Sequence, residues 1–130
     1  MRIAREMYDE IVAHAQADNP DECCGMVSVD GDRAARVYRT TNAEASPLRF
    51  VIDPKELYHV HTEIEDAGLT LGAIYHSHTR SDPVPSQTDV NLAFYPEALY
   101  VIVGVKGDQP EVRAWRIRDG AVEPGELRVA

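Results

Sequence analysis

The sequence predicts an α/β fold, a single mixed β-sheet with helices packed on its faces. Three observations lead there. Segments with helical apolar spacing are interleaved with extended apolar runs. An Asp-Gly turn separates two runs, 23-CCGMVSVD-30 and 33-RAARVYRTT-41, and so marks a hairpin. The run 98-ALYVIVGV-105 is the most apolar in the chain and reads as a central strand.

Each element has a local reason. Met7, Ile11, Val12 and Ala15 recur at helical spacing, and that helix should stop near Asn19-Pro20. After the hairpin, 41–53 is loop-like, with a short extended piece around Phe50–Ile52. Asp53-Pro54-Lys55-Glu56 is a helix start: Asp53 caps, Pro54 suits the first helical position, and Glu56 completes a capping box. Leu57, Val60, Ile64 and Ala67 mark the buried face of this second helix, and Gly68 ends it. The stretch 69-LTLGAIYHS-77 reads as a largely buried strand. A loop stiffened by Pro83 and Pro85 follows, and a short helix begins near Ser86. Residues 111–118 alternate, with Val112, Ala114, Trp115 and Ile117 supplying apolar bulk, and 121–130 closes the chain as an edge.

The 130 residues fit one domain, 1–130, long enough to bury a core without a disulfide or metal staple. Any bound metal is therefore expected to be functional. Thirteen basic against twenty-two acidic residues leave a net charge of −9, which argues against nucleic acid as a partner. The only cysteines, Cys23 and Cys24, are adjacent, so no disulfide framework exists and a reducing compartment is expected. No secretory signal and no apolar run of membrane-spanning length is visible. A cytoplasmic protein without a membrane partner is the expectation.

Two His-x-His pairs offer a contrast. His59 and His61 fall in the second helix, where residues two apart point about 200° apart. His76 and His78 fall at a strand end, where residues two apart share a face and both imidazoles can reach one ion. Asp89, eleven positions after His78, can fold back to give a third ligand. Two imidazoles and a carboxylate leave a fourth tetrahedral position open, the pattern of catalytic zinc. Ser86-Gln87-Thr88-Asp89 is equally a helix-capping pair, and the two readings are compatible for the helix start. Hydrolysis also needs a general base. Glu22, Asp21 and Glu56 are all acidic, and local pattern does not choose among them.

The set His76-Ser77-His78, seven residues, then Ser86-x-x-Asp89, with Glu22 in 20-PDECCG-25, resembles the JAMM (MPN+) metalloproteases. The resemblance extends through 41-TNAEASPLRFVIDP-54, 74-IYHSHT-79, 85-PSQTDV-90, 100-YVIVGV-105 and 113-RAWRIRDGAVE-123, towards small stand-alone bacterial members. It implies a cytidine-deaminase-like α-β-α architecture. It also implies that His76, His78 and Asp89 ligate Zn2+, that Glu22 holds and deprotonates the attacking water, and that Ser86 donates to the oxyanion. The most similar subgroup releases cysteine from the C-terminus of a ubiquitin-like sulfur-carrier protein in cysteine synthesis. A carrier ending in Gly-Gly is then the implied partner, its tail lying along a sheet edge near the metal; a homodimer is left open.

Many members have proline after the second histidine; here it is Thr79, as that subgroup tolerates. Asn42 lies in the segment resembling the family's substrate-facing loop and is a substrate-binding candidate. His14 is expected on the exposed side of the first helix, Trp115 and Cys24 in the core. Another carrier conjugate, a peptidoglycan fragment, or a non-catalytic carrier-binding module are the alternatives. A zinc nucleoside deaminase is set aside, because it needs a Pro-Cys-x-x-Cys pair that the chain lacks.

Overall fold

The computed structural model describes residues 1–130. In chain order its elements are β1 (Arg2–Ile3), α1 (Arg5–Asp18), β2 (Cys24–Asp30), β3 (Arg33–Thr40), α2 (Pro54–Asp66), β4 (Thr70–His78), α3 (Gln87–Asn91), β5 (Leu99–Gly104), β6 (Glu111–Arg118), β7 (Ala121–Pro124) and β8 (Arg128–Val129). All eight strands join one mixed sheet in the order β7-β6-β5-β4-β2-β3-β1-β8. The expected fold class is therefore the one observed. None of its helices is long and apolar enough to cross a membrane.

The expected hairpin is β2–β3, turned at Gly31, whose φ of 63° suits a residue without Cβ. β4 pairs antiparallel with β2 and parallel with β5, and β5 is buried along its whole length, as the apolar run 98–105 requires. The C-terminal segment corrects its expectation. It supplies both edges of the sheet, β7 beside β6 and β8 beside β1. Eight strands laid flat would hold those edges about 34 Å apart. The chain crosses between them from Pro124 to Arg128, a reach of at most roughly 14 Å, so the sheet curls.

α1 lies in the curl. Ile11 and Ala15 pack there with Cys23, Val27, Tyr75, Leu99 and Val101 in one apolar cluster. The enclosure overturns the exposed placement expected for His14, which is 5% exposed. Its Nδ1 meets Tyr75 Oη at 2.7 Å and its Nε2 lies 3.3 Å from Asp18. The opposite face carries α2, with Val60 and Ile64 packed against Cys24, Met26, Ile74 and Tyr100. Ala67 is exposed rather than part of that face, because the helix ends at Asp66. Asp53 caps α2 through the amides of Lys55 and Glu56, but Glu56 completes no capping box. Its carboxylate instead accepts from Thr41 N (2.6 Å) and Thr41 Oγ1 (3.0 Å), tying the helix start to the end of β3.

β4 is flanked on both sides, so no sheet edge adjoins the His-x-His pair at its C-terminal end. The edge expected to receive a substrate tail is three or four strands away.

Gly25 of β2 faces Tyr75 of β4: a Cβ there would sit 2.2 Å from the ring. Tyr75 is fully buried with its hydroxyl bound to His14, so the ring has nowhere to go. Gly25→Ala should cost about 1–3 kcal/mol, read as a lowered urea midpoint with the slope unchanged.

Candidate metal centre

β4 delivers His76 and His78 to one face at the C-terminal end of the strand, and α3 delivers Asp89. Three atoms converge. His76 Nε2 and His78 Nε2 are 3.2 Å apart, and Asp89 Oδ2 lies 3.2 Å from the first and 3.0 Å from the second. They are His76, His78 and Asp89 of the one cluster geometrically able to hold an ion. A tetrahedral ion with bonds of about 2.0–2.1 Å separates its ligand atoms by roughly 3.3 Å. The spacing fits such an ion.

The ring chemistry fits as well. His78 Nδ1 faces the Asp82 carbonyl oxygen at 2.8 Å. A carbonyl only accepts, so Nδ1 carries the hydrogen, and in the neutral ring Nε2 presents its lone pair to the cluster. His76 is held neutral: burial lowers its pKa in spite of Asp89. Phe50 stacks on its ring, centroids 4.4 Å apart. Burial would lower His78 too, but hydrogen bonds to Asp89 and the Asp82 carbonyl raise it. Burial would raise Asp89, and hydrogen bonds from both histidines hold it well below the usual carboxylate range.

Asp89 reaches this position through a capping box. Ser86 Oγ accepts from Asp89 N (3.1 Å), and Ser86 N donates to Asp89 Oδ2 (2.9 Å), the same oxygen that faces the histidines. Cap and ligand are one device. The cap uses only the acceptor capacity of the Ser86 hydroxyl, so its hydrogen stays free to donate. Ser86 is exposed.

Glu22 comes from the turn before β2 and is 4% exposed. Its Oε1 is buried without a hydrogen-bond partner. Burial pushes its carboxyl up to about 8, opposed by His78 and reinforced by Asp89. Glu22 therefore senses the charges of two of the three cluster residues. Glu56 is spent on Thr41, and Asp21 is only half-buried, so the structure separates the three acids that local pattern did not.

The side chain of Asn42, the substrate-binding candidate, is turned to its own loop. Its amide donates to Glu22 O (3.1 Å) and Arg49 O (3.0 Å) and accepts from Glu44 N and Val51 N (3.0 Å each). All four positions of the amide are filled, and the side chain organises the loop 42–51. Phe50 and the Asp82 carbonyl were missed as site features. Their sequence neighbourhood is polar loop or strand end, and nothing in spacing marks them. Trp115 is half-buried against the α2-side cluster and anchors the 79–85 loop through Nε1 to Pro83 O (3.0 Å). His59 is exposed and His61 meets Tyr95 Oη at 3.2 Å, both away from the cluster. Cys23 and Cys24 are buried, with thiols pushed up by burial to about 12 and 11.

Residues 4–118 match the family described as prokaryotic homologs of the JAB domain. A CysO-cysteine peptidase of Mycobacterium tuberculosis is 42% identical over 130 residues, covering 98% of this chain and 89% of the relative. A desampylase of Haloferax volcanii is 34% identical over 114 residues, covering 82% of each. A solved structure from Desulfitobacterium hafniense is similar at a TM-score of 0.87 with 29% identity, covering 100% of this chain and 93% of that one.

Two measurements test the centre. Zinc at about 100-fold over its Kd should stabilise the chelator-treated protein by about 2.7 kcal/mol, seen as a raised melting temperature; His76→Ala or Asp89→Asn should abolish the rise. The folded, metal-free protein holds the Glu22 proton more tightly than the unfolded chain, so ionising it destabilises. That loss begins near the ordinary glutamate value of 4.5 and is complete above about 8. Metal-free Glu22→Gln should match wild type at pH 4 and exceed it at pH 9 by roughly 2–4 kcal/mol in urea unfolding; equal stabilities at both pH values would refute the buried carboxyl.

Proposed function

The chain belongs to the family of prokaryotic JAB-domain homologues and is a JAMM-type metallohydrolase; we propose that its ion is zinc and that it cleaves the amide at the C-terminus of a small ubiquitin-like sulfur-carrier protein, releasing cysteine in the cytoplasm. The observation that carries the reaction class is the convergence of His76 Nε2, His78 Nε2 and Asp89 Oδ2 beside a buried, unpartnered carboxyl on Glu22. The substrate rests on similarity along almost the whole chain to a peptidase named for a carrier–cysteine adduct.

When bound, zinc supplies Lewis acidity towards the scissile carbonyl and makes water acidic. The chain's residues do the rest. Glu22 takes the proton from attacking water and returns it to the leaving nitrogen; burial has already brought its pKa to where both transfers are feasible near neutrality. The Ser86 hydroxyl donates to the oxygen on which charge develops. The Asp82 carbonyl keeps His78 in the ligating tautomer.

The tail has a place to lie. Phe50, whose ring stacks on His76, makes no backbone hydrogen bond within the chain. An extended tail can pair there by strand addition. Beside it runs a groove lined only by apolar or aromatic side chains, among them Val51, Leu57, Leu92, Phe94 and Tyr95. Phe94 is 71% exposed and Leu48 68%, apolar surface that suits a protein partner. A Gly-Gly terminus would bring no side chains to clash beside the metal. A second reading, an isopeptide-linked carrier conjugate, is favoured by the similarity to the desampylase.

Zinc-loaded protein incubated with a carrier bearing a C-terminal cysteine should shorten it by one cysteine residue by mass. Glu22→Gln or His78→Ala should cut the loss to a slow, measurable residual rate, and Ser86→Ala should slow kcat roughly 100- to 1,000-fold. An unchanged adduct, with a lysine-linked conjugate cleaved in parallel, would move the assignment to the isopeptide.

A further inference from the structure

Glu22 sits in a segment, residues 19–23, that belongs to no helix or strand. Its position near the cluster depends on hydrogen bonds from elsewhere. Three come from the ligand strand's own C-terminal end. Ser77 exchanges bonds with Cys23: Cys23 N donates to Ser77 Oγ (2.8 Å) and Ser77 N to Cys23 O (3.2 Å). Thr79 reaches the other side of Glu22, its Oγ1 2.9 Å from Pro20 O and 3.4 Å from Pro47 O. A hydroxyl has one hydrogen, so the bond is to Pro20, with a weaker share to Pro47. The loop containing Pro47 grips the same segment, with Glu22 N donating to Ser46 O (2.9 Å) and Asn42 to Glu22 O.

Ser77 and Thr79 flank His78 in sequence, and Pro20 and Cys23 flank Glu22. The base-bearing segment is thus pinned on either side of its carboxylate to either side of a metal ligand. On the reading that Glu22 is the general base, we propose that Thr79 is a positioning residue: its hydroxyl fixes the Pro20–Cys23 turn, and with it Glu22, against the strand that carries His76 and His78. Thr79 is not among the residues whose ligand atoms converge at the cluster. Misplacing a reacting group by about 1 Å can cost on the order of 100-fold, so losing one of the few bonds that hold this turn has a large effect on rate. Unlike fully buried Ser77, Thr79 is only half-buried, which makes it replaceable without a packing defect. Valine has the same shape and no hydroxyl.

The test uses the full chain and Thr79→Val. Amide hydrogen exchange at Glu22 and Cys23 should quicken, and zinc affinity by chelator competition and the melting temperature should stay at wild-type values. With the carrier–cysteine adduct, kcat should fall roughly 10- to 100-fold with KM little changed. Thr79→Ser should restore both exchange and kcat. In a Glu22→Gln background, Thr79→Val should add less than about a two-fold loss, because residues acting as a unit are not additive. Unchanged exchange at Glu22 and Cys23, no rescue by serine, or the same kcat loss with Glu22 already removed would each overturn the proposal. If wild type leaves the adduct intact, the cysteine reading fails by itself, and the exchange data still decide for or against Thr79.

Discussion

The antiparallel pairing of β2 with β4 is the constraint on which the site depends. Its register sets Cys24 opposite His76. Glu22, two residues before Cys24, then has to emerge beside the end of the strand that carries both histidines. The pairing is also among the most protected in the fold: every residue from Cys24 to Val29 is buried, and β4 is buried from Ala73 to His78. A register shift of one residue would turn both strands' side chains to opposite faces, removing the histidines from Asp89 and setting Gly25 out of step with Tyr75. Packing in the curl and chemistry at the strand end thus select the same register.

The site is electrostatically costly without its ion. Two imidazole nitrogens and a carboxylate oxygen face one another at 3.0–3.2 Å, and a second acid, Glu22, is buried nearby with Oε1 unpartnered. Buried charges normally shift their pKa or find counter-ions. Here the shifts run in opposite directions, Glu22 upwards and Asp89 downwards, so the two carboxyls divide the work. Asp89 stays ionised, as a metal ligand has to be, whereas Glu22 stays able to gain and lose a proton. Pairs of acids driven apart in this way are how one fold provides both acid and base near neutral pH.

The strand and helix order was legible because periodicity and caps are local. The capping residues of α2, the Asp-Gly hairpin and the wholly apolar β5 are set by neighbours within a few positions. The His76–His78 pair was separable from His59–His61 on secondary-structure period alone. What escaped was everything decided by curvature. His14 looked exposed because an amphipathic helix has an outer face, but a curled sheet covers more of α1 than a flat one would. The last ten residues looked like one edge strand because nothing local reveals that the two edges of the sheet approach each other. The part Asn42 plays in ordering its own loop also escaped, because only the four bonds around its amide show it.

Ser86 and Asp89 show why a cap and a ligand should not be treated as rival readings. A capping box requires an acid at N3 whose carboxylate turns back toward the N-cap amide. That turn points Oδ2 away from solvent and toward the end of β4. The amide of Ser86 and the imidazoles of His76 and His78 then address a single oxygen, so the bond that starts the helix also removes rotamer freedom from the ligand. In a five-residue helix with little intrinsic stability, this coupling works in both directions: an ion that orders Asp89 also orders α3 and the loop before it, and the cap presents Asp89 already oriented. The same four residues therefore carry a local folding signal and a functional one, and their spacing follows from the first.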